Sequence, residues 1–260
     1  MKNVMIFIIP YYAHHTMIRD ATNATDGMSS TPPATLIETA YRAIRRNIVL
    51  GVHAPGEKMR VEHLKTQYKM SSGTLREALG LLVSDALVVA QGQRGFTVAP
   101  MSVADLEDLV YLRALVETEA ARQSVANGND DWEARLVSSF HRLTRAEERL
   151  GARTAEAYEE WERRNFEFHE ALVAAAPSGR LLDLRAKLHL QAERYRRLSA
   201  LDGPRPRDVH NEHEQIFELA MQRNADALVD LLRRHLQRPI DVILNSRLLD
   251  RSQADTGRAA

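Results

Sequence analysis

The 260-residue chain contains no cysteine. Disulfides and thiolate metal centres are therefore excluded, and a reducing, cytoplasmic setting is expected. Any metal must be held by His, Asp, Glu, Asn or water. Aromatic residues supply only 6% of the sequence. A chain poor in them and rich in Leu, Ala, Arg and Glu favours helix over sheet. Long apolar runs are missing too. Residues 4–9 hold six apolar positions behind Lys2, too few to span a bilayer and followed by no small-x-small cleavage pattern. No membrane partner is expected. Residues 1–34 are expected to be a disordered tail, with Met28 as a natural start if the first 27 do not belong; a short membrane-touching anchor is the alternative.

A net charge is also lacking, with 35 Lys/Arg against 35 Asp/Glu. By segment the balance shifts. Residues 28–100 carry nine basic against five acidic side chains, whereas residues 101–260 carry 24 against 28. A basic head on an acidic body fits a nucleic-acid reader attached to something else. The length allows two domains with separate cores.

Leu36, Ile37, Ala40, Ile44 and Ile48 recur at helical spacing over residues 35–50, and Gly51 ends the run. A second helix is expected over 61–68 and a third from a Ser71 or Ser72 cap to about 84. Residues 87–90 and 96–99 read as strands around a turn with two glycines, Gly92 and Gly95. Beyond Ser102 every segment is helical in pattern: 103–126, 131–150, 154–175, 178–201, 206–223 and 225–249, with Pro239 expected to kink the last. The breakers are residues 127–129, Gly151, 177–179, 203–206 and Asn224. The expected class is mainly α, a winged helix–turn–helix over 35–100 followed by an antiparallel all-α helical bundle over 102–249, with 250–260 disordered.

Helix, turn, helix and hairpin in this order form a shape for entering a DNA groove. The opening turn of a recognition helix needs short polar residues, which Ser71, Ser72, Gly73 and Thr74 supply. Arg76 is placed to reach a guanine edge or a phosphate. Gln93, Arg94 and Gly95 project from the wing tip, and Arg60 opens the preceding helix. The competing view pairs Arg76 with Glu77 and treats the hairpin as a plain sheet edge.

The run from Gly51 to Pro100 resembles the winged helix–turn–helix of the GntR family of bacterial transcription regulators. Its PGE turn (Pro55 to Glu57), LREAL core (Leu75 to Leu79) and RGF wing (Arg94 to Phe96) carry the likeness. The following DLEDLVYLRALVETEAAR, from Asp105, resembles the opening helix of the FCD ligand-binding domain of FadR-like members. The likeness covers residues 35–247. Ser72 and Glu62 stand where basic residues are common, so no operator sequence can be borrowed.

Within the bundle, Asn165 and His169 are four apart on one helical face. His213 and His235 lie eleven residues to either side of Asn224, so antiparallel helices joined there bring them level. Three imidazoles and an amide oxygen suit a divalent metal of the Zn, Ni or Mn class with open positions. The set resembles that of metal-binding FCD domains, with Asn in place of the commoner Asp. Val173 occupies the place of a metalloprotease's second histidine, which excludes that route to hydrolysis. His14, His15, His53, His63, His141, His189 and His210 are read as structural or surface, although His189 could face His169.

Arg113 falls on the apolar stripe of its helix, so it needs a carboxylate or a bound anion. Glu117, one turn on, is the plain partner. The FCD resemblance instead implies that Arg113 meets a ligand carboxylate, with Tyr111 and Arg194 as further pocket candidates. The expected protein is a dimeric regulator of a double-stranded DNA operator, controlled by a small organic acid and a metal. Alternatives are a metal-free regulator responding to an acyl ligand, and a metal-dependent hydrolase.

Overall fold

A computed structural model describes residues 35–152, 154–202, 209–246 and 249. The expectations for 1–34, for the break at 203–206 and for 250–260 lie outside the described residues. Three helices open the fold: α1 (Leu36–Val49), α2 (Val61–Tyr68) and α3 (Ser72–Ser84). The turn between α2 and α3 bends through Lys69 in the left-handed region (φ 54). Ser71 then caps α3, its hydroxyl accepting the Thr74 N–H at 3.1 Å.

Strands β2 (Val88–Ala90) and β3 (Phe96–Val98) form the wing, joined by a 3₁₀ turn at Gly92–Arg94. Gly92 and Gly95 have φ of 54° and 87°, values that side chains beyond Gly adopt only under strain. A two-residue strand, β1 (Lys58–Met59), pairs antiparallel with β3 and makes it the central strand. It was not anticipated: two residues after a turn have no period to read. Ile44, Ile48, Leu64, Leu75, Leu79, Leu82 and Val98 fill the apolar core of this head.

Six further helices follow: α4 (Val103–Asn127), α5 (Asp130–Leu150), α6 (Ala155–Val173), α7 (Gly179–Arg197), α8 (Val209–Met221) and α9 (Ala225–Ser246). Ser102, Asn129, Thr154 and Ser178 cap α4 to α7 through side-chain oxygens, which explains where these helices start. Beyond Arg197, α7 runs into a π-helical turn at Leu198–Asp202. Pro239 lies inside α9, as the spacing predicts. Central α4 packs against α6, α7 and α9.

The helices of the bundle alternate along their length. On α4, Leu106, Leu109 and Val110 join one apolar cluster and Ala120, Ala121 and Val125 another, with Arg113 and Glu117 buried between them. On α9, His235 separates Leu228, Leu231 and Leu232 from Ile240 and Ile243 in the same way. A layer of charged and imidazole side chains thus crosses the middle of an otherwise apolar bundle.

Candidate functional site

The head presents its expected reading residues outward. Arg60, Arg76 and Arg94 are exposed, and none has an ion-pair partner among the described residues. The pairing of Arg76 with Glu77 is not formed. Ser71 and Thr74 share a hydroxyl–hydroxyl hydrogen bond of 2.9 Å at the tip of α3, with Ser72 half-buried beside them. Gly95 makes the backbone reversal that projects the wing. The side chain of Gln93 lies outside the described residues.

In the bundle, α6, α8 and α9 bring His169, His213 and His235 together. All three are buried, with ring centroids 4.8 to 5.6 Å apart. One ligand atom from each lies within 4.8 Å of the others. Asn165, buried one turn before His169, stands on the same helix. Each imidazole is backed by a carboxylate. Nδ1 of His213 meets Glu147 Oε1 at 2.5 Å, and Nδ1 of His235 meets Glu212 Oε2 at 2.7 Å. Nδ1 of His169 is 2.7 Å from Glu117 Oε1, out of line for a hydrogen bond.

A carboxylate on Nδ1 fixes the tautomer and turns the lone pair of Nε2 outward. Nε2 of His213 is buried and has no hydrogen bond. A buried nitrogen left without a partner is costly, and a metal ion is the partner that three converging imidazoles suit. Burial drives His169 down to about 4, with Glu117 opposing. The ring is therefore neutral, the form that binds metal, at ordinary pH.

Beside the histidines lies a cationic cluster. Arg113 is buried, 3.3 Å from Glu117 Oε2 and 3.4 Å from His189 Nδ1. Both candidate readings of Arg113 keep support: Glu117 is its neighbour, yet the contact is long and Nε has no partner. Burial lowers Arg113 to about 10. Arg185 and Arg196 are buried around the same His189, each with one guanidinium nitrogen unsatisfied, Nε and Nη1 respectively. His189 therefore belongs to this cluster and not to the surface. Its ring is 6.0 Å from that of His169, and burial followed by the three arginines holds it well below the usual range.

Two expected pocket residues are corrected. Tyr111 is 63% exposed and lies outside the cluster. Arg194 is buried but donates to the Ala99 carbonyl at 2.7 Å, tying the bundle to the end of the wing. Glu147, Glu162, Glu212, Arg185 and Arg196 were not singled out from the sequence. The only local signal was adjacency, Glu212 standing next to His213.

Comparisons with known proteins agree with a helix–turn–helix head followed by a helical domain. Residues 36–98 match the family described as bacterial regulatory proteins, gntR family, and residues 108–238 match the FCD domain. The chain is 44% identical over 214 residues to the HTH-type transcriptional regulator BphR of Paraburkholderia xenovorans, covering 82% of this chain and 87% of that one. It is 34% identical over 207 residues to the HTH-type transcriptional repressor GlaR of Escherichia coli, covering 78% and 93%. Among solved structures, Escherichia coli McbR/YncC has the same fold with a TM-score of 0.65 at 19% identity, covering 83% of this chain and all of that one. A GntR-type regulator from Rhodococcus aligns with a TM-score of 0.62 at 22% identity, covering 80% and 97%.

Proposed function

Because the chain belongs to the gntR family of bacterial regulatory proteins and carries an FCD domain, we propose that it is a dimeric cytoplasmic repressor whose operator affinity is set by a small organic acid bound beside a divalent metal. As a member of this family it is a DNA-binding transcription regulator and not an enzyme. One relative, GlaR, is named a repressor.

His169, His213 and His235, with Asn165, are the residues that would hold a metal of the Zn, Ni or Mn class. Bound there, the ion supplies positive charge for a carboxylate oxygen. Arg113, Arg185 and Arg196 supply the remaining N–H donors, and their unsatisfied nitrogens are the observation that carries the effector reading. A purely acyl ligand would leave these donors unpaired, so a metal-free, acyl-responsive regulator is disfavoured. A hydrolase is disfavoured as well, because Glu147 and Glu212 already engage imidazoles. The effector acts only through unequal affinity for two arrangements of the head.

Two substitutions separate the halves of this reading. His213→Ala is expected to lower metal content, measured by elemental analysis of untagged protein, and to abolish stabilisation by small carboxylates with Zn²⁺ while operator binding persists. Arg76→Ala is expected to weaken operator binding by about 1–3 kcal/mol with metal content unchanged. Full metal retention by the first variant rejects the metal site. An unchanged footprint for the second removes Arg76 from the reading surface.

A further inference from the structure

The head and the bundle meet around a cleft of about 540 Å³ whose lining includes Arg45, Arg46 and Val49 of α1, Glu162 and Phe166 of α6, and Glu193 of α7. Polar links bridge it: Arg45 pairs with Glu193, and Arg46 with Glu159 at 2.6 Å. A joint built partly around open space is less closely packed than an interior, so the orientation of α1 depends on these links as well as on Val49, which packs into the apolar cluster of the bundle. Recognition helix α3 packs on α1 and moves with it.

Glu162 belongs to both sides of this joint. Inward, its carboxylate meets His189 Nε2 at 3.3 Å and accepts from Arg196 Nε at 3.0 Å. Outward, it lines the cleft. Between Glu162 and Glu193 stands Tyr158, fully buried. Its hydroxyl lies 3.3 Å from Glu162 Oε2 and 3.0 Å from the Glu193 carbonyl oxygen. A hydroxyl has one hydrogen to donate, so strengthening one of these bonds weakens the other. The backbone that competes for this hydrogen is that of the residue whose side chain holds Arg45.

We propose that Tyr158 and Glu162 couple the sensing cluster to the DNA head, the Tyr158 hydrogen passing between the Glu162 carboxylate and the Glu193 carbonyl as the cluster fills and empties. The inference rests on the reading of Arg113, Arg185 and Arg196 as an anion site. An anion taken up by the unsatisfied Nη1 of Arg196 draws that guanidinium away from Glu162, which holds its Nε. Glu162 then draws the Tyr158 hydrogen, the Glu193 carbonyl loses it, and the Glu193–Arg45 link changes position with α7. Tyr158 and Glu162 are positioning residues, since neither reaches the DNA.

The test needs no effector. Because the chain has no cysteine, Lys65→Cys on exposed α2 and Arg145→Cys on exposed α5 give two unique spin-label sites. Full-length labelled chains diluted with unlabelled protein report the head-to-bundle distance within one chain. Glu162→Gln and Tyr158→Phe are each expected to shift or broaden that distance distribution and to change operator Kd by about 5-fold or more, with Zn²⁺ content retained and measurements made below each variant's unfolding transition. Superimposable distributions and unchanged operator affinity in folded variants overturn the coupling. If Tyr158→Phe does not fold, Glu162→Gln decides alone. Should the distances move while neither succinate nor Zn²⁺ stabilises the parent protein, the sensing reading fails and the coupling stands. If succinate with Zn²⁺ stabilises it but the distances stay fixed, the reverse holds.

Discussion

The interior of the DNA head is built from Ile44, Ile48, Leu64, Leu75, Leu79 and Leu82, with His53 and Asp85 as its buried polar residues. The bundle buries Arg113, Glu117, Glu162, Asn165, His169, Arg185, His189, Arg196, Glu212, His213 and His235. Two regions of one chain thus follow opposite rules. An apolar interior is the cheaper way to hold a fold, because burying ion pairs costs desolvation that their attraction only partly returns. The head is a rigid tool for presenting α3 and the wing. On the reading proposed above, the bundle retains a costly polar layer because a ligand acts there.

This contrast can be broken from either side. The largest effect is expected in the bundle. Glu117→Leu removes the carboxylate facing Arg113, Arg185 and His169, leaving buried charge uncompensated. A loss of about 3–5 kcal/mol is expected by denaturant unfolding, and a stability gain would show that the layer is not held by charge pairing. In the head the corresponding loss is mechanical. Leu79→Ala, at a fully buried site, is expected to cost about 2–4 kcal/mol through its cavity. Operator binding should fall while Zn²⁺ content stays unchanged; a fall in both would mean the two interiors are one cooperative unit.

The smallest effect concerns pH. His169 is held at about 4 in the folded chain by burial, against roughly 6.5 when unfolded. Between these values the unfolded state binds the extra proton, so stability of the metal-free protein falls as pH is lowered through that window. Thermal midpoints measured from pH 7 to 4.5 should decline, with a shallower slope in His169→Gln. Equal slopes would place the proton uptake elsewhere.

Much of this organisation could be read before any coordinates. The mainly helical class, with a winged head before a bundle, followed from helical patterning such as that of α1 and from a cap at Ser71 or Ser72. Symmetry about Asn224 was enough to suspect that His213 and His235 meet, and the structure brings both beside His169. The carboxylates were hidden for a physical reason. Glu147, Glu162 and Glu212 lie on helices rich in glutamate, and only packing distinguishes one that turns inward from those facing solvent. Tyr111 misled because it stands only two residues before Arg113, but helical residues two apart point about 200° apart, to nearly opposite faces.

The brief pairing of β1 with β3 has a consequence for the nucleic acid. Strand β1 immediately precedes α2, so the hairpin is anchored to the chain that enters the helix–turn–helix as well as to the chain that leaves it. If α3 meets bases and Arg94 the DNA backbone, as proposed, the interval between those contacts is a fixed length of the protein. For the proposed dimer, each half of the operator would then have to supply that interval without insertions, leaving variation among natural targets to the spacer at the dyad.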